Sequence, residues 1–429
     1  MRIEIVGADV VDPRNDVNGR VDLFIADGEI AAIGHRPDGF TADQRIDGQG
    51  LTAVPGFIEL SARVREPGQE FKATIESEAY AAVANGITTL CVPPDTNPVI
   101  DSPAVVELIE KRAREVNLAR IEVIGALTHG LTSERLAEMY ALREAGCIAM
   151  SNADRTIANS EIMRRALEYA TTFDLTVMTQ CEDPWLAARR IVHGGANSFN
   201  LGLDPIPESA ETIIVARDLL LAEQTGARVH FCRLSSARSV DMIRHAKAAG
   251  LPVTADVAVH QLYLTEDSLD GFDTRCHVRP PLRRDIDKAA LRAGVADGTI
   301  DAITSDHQPH DADAKLNPFT ETEPGISGLD TLVGLSLNMG QEEDIDVARI
   351  VAALSAKPAA IARLDRGHLG VGAVADLCLL QLDAITVFDE EQMHSKGKNN
   401  PFRGTALRGQ VSHTFVGGTL KYQRENATP

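Results

Sequence analysis

Apolar and polar residues alternate at both ends of the chain, and this pattern predicts β structure there. Two apolar runs near the N-terminus flank Asp27-Gly28, a strong hairpin signal, and two runs near the C-terminus flank Gly417-Gly418. Residues 1–52 and 369–429 are therefore predicted to form one small β-sandwich built from both termini. The runs that predict its strands are 21–25, 30–33, 375–380, 413–416 and 419–422.

The middle of the chain, residues 53–368, has a different pattern, in which short apolar runs alternate with helical segments. This alternation predicts an α/β fold, a (β/α)₈ TIM barrel. Residues 312–326 are polar with two prolines and are predicted to be a long barrel loop. The predicted strands are 88–92, 121–124, 175–178, 229–231, 253–255 and 302–304. The predicted helices, each opening on a serine that favours an N-cap, are 102–114, 133–145, 160–172, 209–224 and 236–249.

Composition excludes several classes of function for this chain of 429 residues. Its 42 Lys and Arg against 62 Asp and Glu give a net charge of −20, which disfavours binding to nucleic acid or to an anionic membrane surface. The N-terminus has no signal-peptide pattern and no apolar run approaches the ~18 residues of a membrane span, so a cytoplasmic location is expected. The six cysteines are scattered without a C-x-x-C pair, which predicts buried, reduced thiols.

Residues 54–68 carry the most informative motif, Val-Pro-Gly-Phe-Ile-Glu-Leu-Ser-Ala-Arg-Val-Arg-Glu-Pro-Gly. This segment resembles the start of the barrel in dihydroorotases and other cyclic amidohydrolases, where two zinc-binding histidines stand at the positions of Ser61 and Arg63. The resemblance covers essentially the whole chain and implies the same barrel and composite sandwich. The further segments that carry it are 91–98, 150–154, 178–183, 230–236, 279–283 and 305–310.

The family's metal-ligand positions are degenerate in this chain. Only Asp306, the family's metal-bound general base, is retained, and the substituted residues include two arginines, whose guanidinium groups stay protonated. Because catalytic zinc needs about three protein ligands, the zinc site is predicted to be lost, with no cofactor and a vestigial Asp306. The six positions are Ser61, Arg63, Asn152, Gln180, Arg233 and Asp306.

The resemblance also places a vestigial substrate pocket at the barrel mouth. Arg65 and His310 keep the family's substrate-binding residue types, and a guanidinium suits the carboxylate of dihydroorotate. Asp95 stands where the family has a substrate-contacting asparagine, and its added negative charge would disfavour an anionic substrate. The predicted pocket residues are Arg65, Asp95, His260, Arg279 and His310.

Removal of the metal has a physical consequence that predicts how the site is filled. Alternate strand residues face the same side, so Glu59, Arg63 and Arg65 are expected to point into the mouth. Without a metal, Glu59 and Asp306 would be buried, unpaired anions. We therefore expect Arg63 and Arg233 to form an ionic cluster with both carboxylates, and arginines that point away from Asp306 would contradict this hypothesis.

The resemblance implies a catalytically inactive dihydroorotase homologue in pyrimidine biosynthesis. In some bacteria such a protein is the structural partner of the catalytic chain of aspartate transcarbamoylase in a mixed oligomer. A homo-oligomer is expected as well, and neither nucleic acid nor a membrane is expected as a partner.

Two alternatives remain open. The first is a working cyclic amidohydrolase that converts dihydroorotate to carbamoyl aspartate with an altered metal site or none. The second is a sensor that keeps a pocket for dihydroorotate or carbamoyl aspartate through Arg65 and His310. The candidate groups of the hydrolase alternative are Asp306, His307, His310, His230 and Asp256.

Overall fold

The computed structural model describes residues 1–424, so residues 425–429 of the predicted sandwich segment lie outside the described residues. Eight parallel strands follow one another around a barrel, which confirms the predicted fold. A parallel bridge between Ala62 and His307 joins the first strand to the last. The strands are β8 (Phe57–Glu59), β9 (Ile87–Val92), β10 (Arg120–Ala126), β11 (Ala149–Ser151), β12 (Thr176–Gln180), β15 (Arg228–Cys232), β16 (Val253–Ala258) and β17 (Ala302–Thr304).

Helices cover the outside of the barrel, so its strands are buried on both faces: β9 and β12 are buried at every residue. The helices are α1 (Ile75–Ala84), α2 (Pro103–Val116), α3 (Met139–Glu144), α4 (Ser160–Thr172), α5 (Pro184–Ala187), α6 (Ala196–Leu201), α7 (Ser209–Thr225), α8 (Ala237–Ala248), α9 (Asp285–Asp297), α10 (Asp313–Leu316), α11 (Leu329–Glu342), α12 (Val347–Leu354) and α13 (Ala356–Ala362). Single 3₁₀ turns are at His129–Leu131, Val259–Leu262, Glu266–Leu269, Thr274–Cys276, Phe319–Glu321 and Glu390–Gln392.

Some predicted element boundaries were wrong. The helix predicted over 133–145 is only α3, because Ser133 has a φ of 64° and donates its backbone N–H to the Thr128 hydroxyl within a turn. The predicted loop 312–326 contains α10 and a 3₁₀ turn. Serine caps are also fewer than predicted: Ser236 caps α8, whereas Asn159 caps α4 and Ser209 is already inside α7.

The two chain ends form two packed sheets, as predicted. A four-stranded sheet in the order β5-β4-β1-β6 shares an apolar core with a six-stranded sheet in the order β20-β19-β18-β7-β2-β3. The dipeptides Asp27-Gly28 and Gly417-Gly418 both have positive φ angles at their two residues, as a type I′ hairpin turn requires. The first sheet contains β1 (Arg2–Val6), β4 (Leu23–Ala26), β5 (Glu29–Ile33) and β6 (Gln44–Asp47). The second contains β2 (Asp9–Asp12), β3 (Val17–Arg20), β7 (Thr52–Pro55), β18 (Leu377–Val387), β19 (Ala406–Val416) and β20 (Thr419–Gln423).

Two remaining strands, β13 (Val192–His193) and β14 (Pro205–Ile206), form a small pair between β12 and α7. The predicted domain boundary at residue 52 falls inside β7, which pairs with β2 and β18, and the division into domains stays a prediction.

All six cysteines are free thiols. Within residues 1–424, none of the helices combines the length and the apolar character that crossing a membrane requires.

Candidate functional site at the barrel mouth

Five charged side chains from five neighbouring loops meet where the barrel strands end. Arg63 follows β8, Asp95 follows β9, Asp154 follows β11, Arg233 follows β15 and Asp306 follows β17. Parallel strands bring their carboxyl ends to one face of a barrel, which is why residues so distant in sequence converge. We call these five residues the guanidinium–carboxylate cluster.

Arg233 occupies the centre of the cluster. Its Nη1 lies 2.8 Å from Asp306 Oδ1 and its Nη2 lies 2.9 Å from Asp154 Oδ1. The same guanidinium donates to Ser61 Oγ at 3.0 Å and to the side-chain oxygen of Gln180. Three positions where the family holds metal ligands, Ser61, Gln180 and Asp306, are therefore gathered around one arginine head group.

Arg63 completes the cluster from the other side. Its Nε lies 2.7 Å from Asp95, its Nη2 lies 2.7 Å from Asp154 and its Nη1 lies 3.4 Å from Asp306. Burial alone would lower the pKa of Arg63, but the charges of Asp154, Asp95 and Asp306 outweigh it and raise that pKa. The guanidinium therefore stays charged although its residue is only 4% exposed. The negative charge of Asp95, expected to repel an anionic substrate, is paired with Arg63.

Glu59 does not belong to the cluster, and the sequence-based hypothesis was wrong on this residue. Its carboxylate accepts hydrogen bonds from the backbone N–H groups of Ser61 and Ser305, each at 2.7 Å, and from the Thr304 hydroxyl. Burial raises the pKa of Glu59 to about 7, against the lowering effect of these donors. The strand backbone therefore satisfies this buried carboxylate without an arginine.

The structure also shows a cluster member that sequence reasoning missed. Asp154 lies two residues after Asn152, the position aligned with a family carboxylate, and Ala153 between them has a φ of 51°. Asn152 itself turns away and bonds to Thr128 and Ser133. Burial alone would raise the pKa of Asp154, but Arg63 and Arg233 outweigh it and lower that pKa. The sequence feature that could have identified Asp154 is its place two residues after Asn152, a position where the family has a carboxylate.

Arg65 and His310, the predicted carboxylate-binding pair, are engaged by the protein itself. Arg65 Nε donates to the Pro309 carbonyl at 3.0 Å, and its Nη2 lies 3.5 Å from His310 Nε2. His310 Nε2 also lies 2.9 Å from the Pro324 carbonyl, an acceptor only, so this nitrogen carries the proton. Burial and the neighbouring Arg65 lower the pKa of His310 to about 2, which keeps the ring neutral.

The other predicted pocket residues, Arg279 and His260, differ in whether their polar atoms have hydrogen-bond partners. Arg279 pairs with Glu182 at 2.6 Å. His260 is 1% exposed, and neither ring nitrogen has a hydrogen-bond partner within residues 1–424. Burial lowers the pKa of His260 to about 4, so the ring is neutral at physiological pH.

Two histidines of the hydrolase alternative are held in buried pairs outside the cluster. His307 Nε2 lies 2.7 Å from Glu78, while its Nδ1 accepts the backbone N–H of Gly328 at 3.1 Å. His230 Nε2 lies 2.8 Å from Asp256, and its Nδ1 lies 2.9 Å from the Thr254 hydroxyl. Neither ring has a free nitrogen with which to accept a proton from a substrate.

The residues at the family's metal positions do not fit zinc. Among the six, only Asp306 has a ligand atom suited to zinc, and both arginines contact its Oδ1. The free space beside Arg63 and Arg65 is about 10 Å³, roughly that of one water molecule. Sites that bind small molecules usually have volumes of about 300–1,000 Å³. The six positions therefore do not offer the ligand set of a catalytic zinc, and the space beside Arg63 and Arg65 has no room for a cyclic amide.

Relatives of this chain are found over its full length. Residues 50–239 match the family described as Dihydro-orotase-like, and residues 228–422 match the Amidohydrolase family. A dihydroorotase-like protein of Pseudomonas aeruginosa is 49% identical over 423 residues, covering 99% of this chain and 100% of that protein. A dihydroorotase of Anaeromyxobacter dehalogenans is 40% identical over 425 residues, covering 99% and 98% respectively.

Solved structures share the fold at lower sequence identity. An L-hydantoinase from Arthrobacter aurescens matches with a TM-score of 0.85 and 23% identity, covering 97% of this chain and 95% of that one. A dihydropyrimidinase from Brevibacillus agri matches with a TM-score of 0.85 and 19% identity, covering 98% and 95%. At these identities, the likeness shows a common architecture.

Proposed function

The chain belongs to the dihydroorotase-like family of amidohydrolases, and from this premise we propose that it is a non-hydrolytic member that assembles with aspartate transcarbamoylase. The observation that carries the first half of the proposal is the double contact of Asp306 with Arg63 and Arg233. In the family, the residue at this position acts as the metal-bound general base. Here two guanidinium cations hold it.

The cluster accounts for the loss of chemistry in physical terms. Hydrolysis by this family depends on a metal that lowers the pKa of water from 15.7 to about 7. An arginine supplies positive charge but has no empty orbital to bind the water oxygen, so it stabilises Asp306 without activating a nucleophile. The ionic cluster therefore keeps the electrostatic balance of a metal centre and abolishes its reactivity.

A second candidate is a hydrolase with a relocated metal. His230, Cys232 and Asp256 each offer a ligand atom, and these atoms lie within 4.8 Å of one another. Both ring nitrogens of His230 are already hydrogen bonded, and the second oxygen of Asp256 accepts the Arg233 backbone N–H at 2.5 Å. Burial and the charge of Asp256 raise the pKa of the Cys232 thiol well above its usual value, which opposes a metal-binding thiolate.

The role in assembly rests on the family resemblance and on one surface feature. Trp185 on α5 is 72% exposed and Phe199 on α6 is 88% exposed. Aromatic side chains are enriched among the residues that contribute most to the energy of protein–protein interfaces. These two short helices are therefore our candidate contact for the transcarbamoylase.

Catalysis and metal content are tested together on protein purified without chelators. We expect zinc, iron and manganese far below one atom per chain and no interconversion of dihydroorotate and carbamoyl aspartate. A matched sample loaded with zinc separates a lost metal from a lost site. Stoichiometric metal with turnover that disappears in Cys232→Ser would establish the relocated-metal hydrolase and refute the proposal.

Assembly is tested by co-expression with the transcarbamoylase chain of the same organism and by sedimentation of the purified mixture. We expect a mixed oligomer with the unmodified chain and its loss in the double variant Trp185→Ser, Phe199→Ser. The control is Ile385→Ser, which removes an apolar side chain that is 64% exposed on β18. Independent sedimentation of the two unmodified proteins would refute the assembly role.

A further inference from the structure

A cavity of about 410 Å³ lies at the base of the barrel, at the end opposite the guanidinium–carboxylate cluster. Its walls come from two parts of the molecule. The hairpin between β2 and β3 supplies residues 12–18 of the lining, and α9, α12 and α13 supply most of the remainder. The space therefore separates the terminal sheet from the barrel, and anything bound there would touch both.

The chemistry of the lining is divided between an apolar wall and two cations. Val295, Ile300 and the alanines of α12 form the wall, while Arg349 and Lys357 border the same space. Among residues 1–424, no carboxylate oxygen lies within 4.0 Å of either cationic head group.

Backbone groups hold the Arg349 guanidinium in place. Its Nε donates to the Val295 carbonyl at 2.9 Å. Gly298, which has a φ of 85°, lies against the same head group, and a Cβ at this position would lie 2.6 Å from Arg349 Nη2. The positive φ favours glycine at position 298, and the absence of a side chain there leaves room for the guanidinium.

The acidic groups that line the cavity are largely satisfied by other partners. Asp12 is 0% exposed and accepts hydrogen bonds from the Leu369 backbone N–H at 2.7 Å and the Asn15 amide at 2.6 Å. Asp301 pairs with Lys247 at 2.5 Å. The third, Asp16, is exposed. None of the three carboxylates of the lining therefore forms an ion pair with Arg349 or Lys357.

A second cavity of about 290 Å³ continues the first along the starts of β12, β15 and β16, and it shares Asp301 and Lys357 with the first. Lys357 thus stands where the two spaces meet. A head group bound to the cations would leave room for an extended body in either direction.

We propose that this base cavity binds a small organic anion, whose phosphate or carboxylate group pairs with Arg349 and Lys357 while its body lies against the alanines of α12. A guanidinium presents a planar pair of donors that matches either oxyanion, and a nearby ammonium adds a mobile point charge. The volume of the cavity lies within the range of small-molecule sites. The bound anion ties the terminal sheet to the barrel and stabilises both.

The test is binding to the full chain by calorimetry, with a thermal-shift measurement on the same samples. The probes are a nucleoside monophosphate, succinate and inorganic phosphate, so that the two head groups and the need for a body are separated. We expect at least one organic probe to bind with a Kd below about 1 mM and to raise the melting temperature. The double variant Arg349→Gln, Lys357→Met should weaken that binding at least about tenfold, because a tenfold change in Kd corresponds to the loss of one charge-assisted hydrogen bond.

Two further variants keep the test decisive. Ala352→Leu fills the cavity while retaining both cations, and it should also weaken binding. Arg238→Gln removes an exposed arginine at the start of α8, at the mouth end of the barrel, and should bind within twofold of the unmodified chain. Failure of every probe to bind, or equal binding by the double variant, would overturn the proposal. The outcome does not depend on whether the chain is a hydrolase or assembles with a transcarbamoylase.

Discussion

At the mouth of the barrel, two buried guanidinium groups share three carboxylates, and the space beside Arg63 and Arg65 is only about 10 Å³. At the base, by contrast, Arg349 and Lys357 border a cavity of about 410 Å³ and have no acidic partner among residues 1–424. Enzymes of this fold keep their open, polar space at the mouth, and conservation at the base usually serves stability. This chain reverses the arrangement. At the mouth, the charged side chains pair with one another. At the base, the two cations have no acidic partner and can pair with a bound anion.

The largest effect expected from this difference is on the free energy of unfolding of Arg233→Ala. The substitution leaves the buried Asp306 with the longer contact to Arg63 as its one remaining ion pair among residues 1–424, so we expect a loss of about 3–5 kcal/mol in urea denaturation at pH 7. The control, Arg164→Ala, removes an exposed ion pair on α4 and should cost far less. Equal, small losses in the two variants would mean that the cluster does not stabilise the mouth.

The next effect concerns pH. The folded state lowers the pKa of His260 to about 4 from an ordinary value of 6.5, so between these values the unfolded chain binds the additional proton. Stability therefore falls as the pH drops through this window, by about 3 kcal/mol for this one group. His260→Gln should remove that part of the slope in denaturation series from pH 7 to pH 4, with the exposed His245→Gln as control. An unchanged slope would contradict a buried, neutral His260.

A smaller effect is expected for Asp154→Asn. Because Arg63 and Arg233 lower the pKa of Asp154, its ionised form stabilises the fold above the ordinary carboxyl pKa, and this stability is lost as the pH falls through the lowered value. We expect a loss of about 1–2 kcal/mol at pH 7 that narrows below pH 4. A deficit that stays constant down to the acid transition would show that charge is not its source.

The smallest effect is expected at the base. Arg349→Gln together with Lys357→Met removes two cations that have no acidic partner and one hydrogen bond to the Val295 carbonyl, so the free energy of unfolding without ligand should fall by less than about 1 kcal/mol. Denaturation of this variant beside Arg233→Ala measures the contrast between the two ends directly. A loss as large as that at the mouth would mean that the base cations are structural.

The sequence predicted the barrel and sandwich because their signals are local. Short runs rich in apolar residues, such as those of β9 and β12, form strands that are covered on both faces. The turns at Asp27-Gly28 and Gly417-Gly418 depend on two residues each. The helix expected from Ser133 was wrong because a hydrogen bond to the Thr128 hydroxyl, five residues earlier, holds Ser133 in a turn. Local propensity is weak enough for such contacts to override it.

At the mouth, the sequence showed that the ligand set for zinc is degenerate and that arginines stand at two of its positions. It could not assign partners. Glu59 is satisfied by donors of its own and the neighbouring strand, whereas Asp154 reaches Arg63 and Arg233 from the turn after β11, where Ala153 has a positive φ.

The sequence alone determined the family and the fold of this protein. It also determined that five of the six positions lack the residue types that bind zinc in the family. Which charges are paired and which are free was decided only by the tertiary structure. Ion pairing depends on distances of about 3 Å between side chains that are far apart in the chain, such as Arg63 and Asp306, and only the closed barrel sets those distances. The same closure leaves the space beside Arg349 and Lys357 that no sequence pattern indicated.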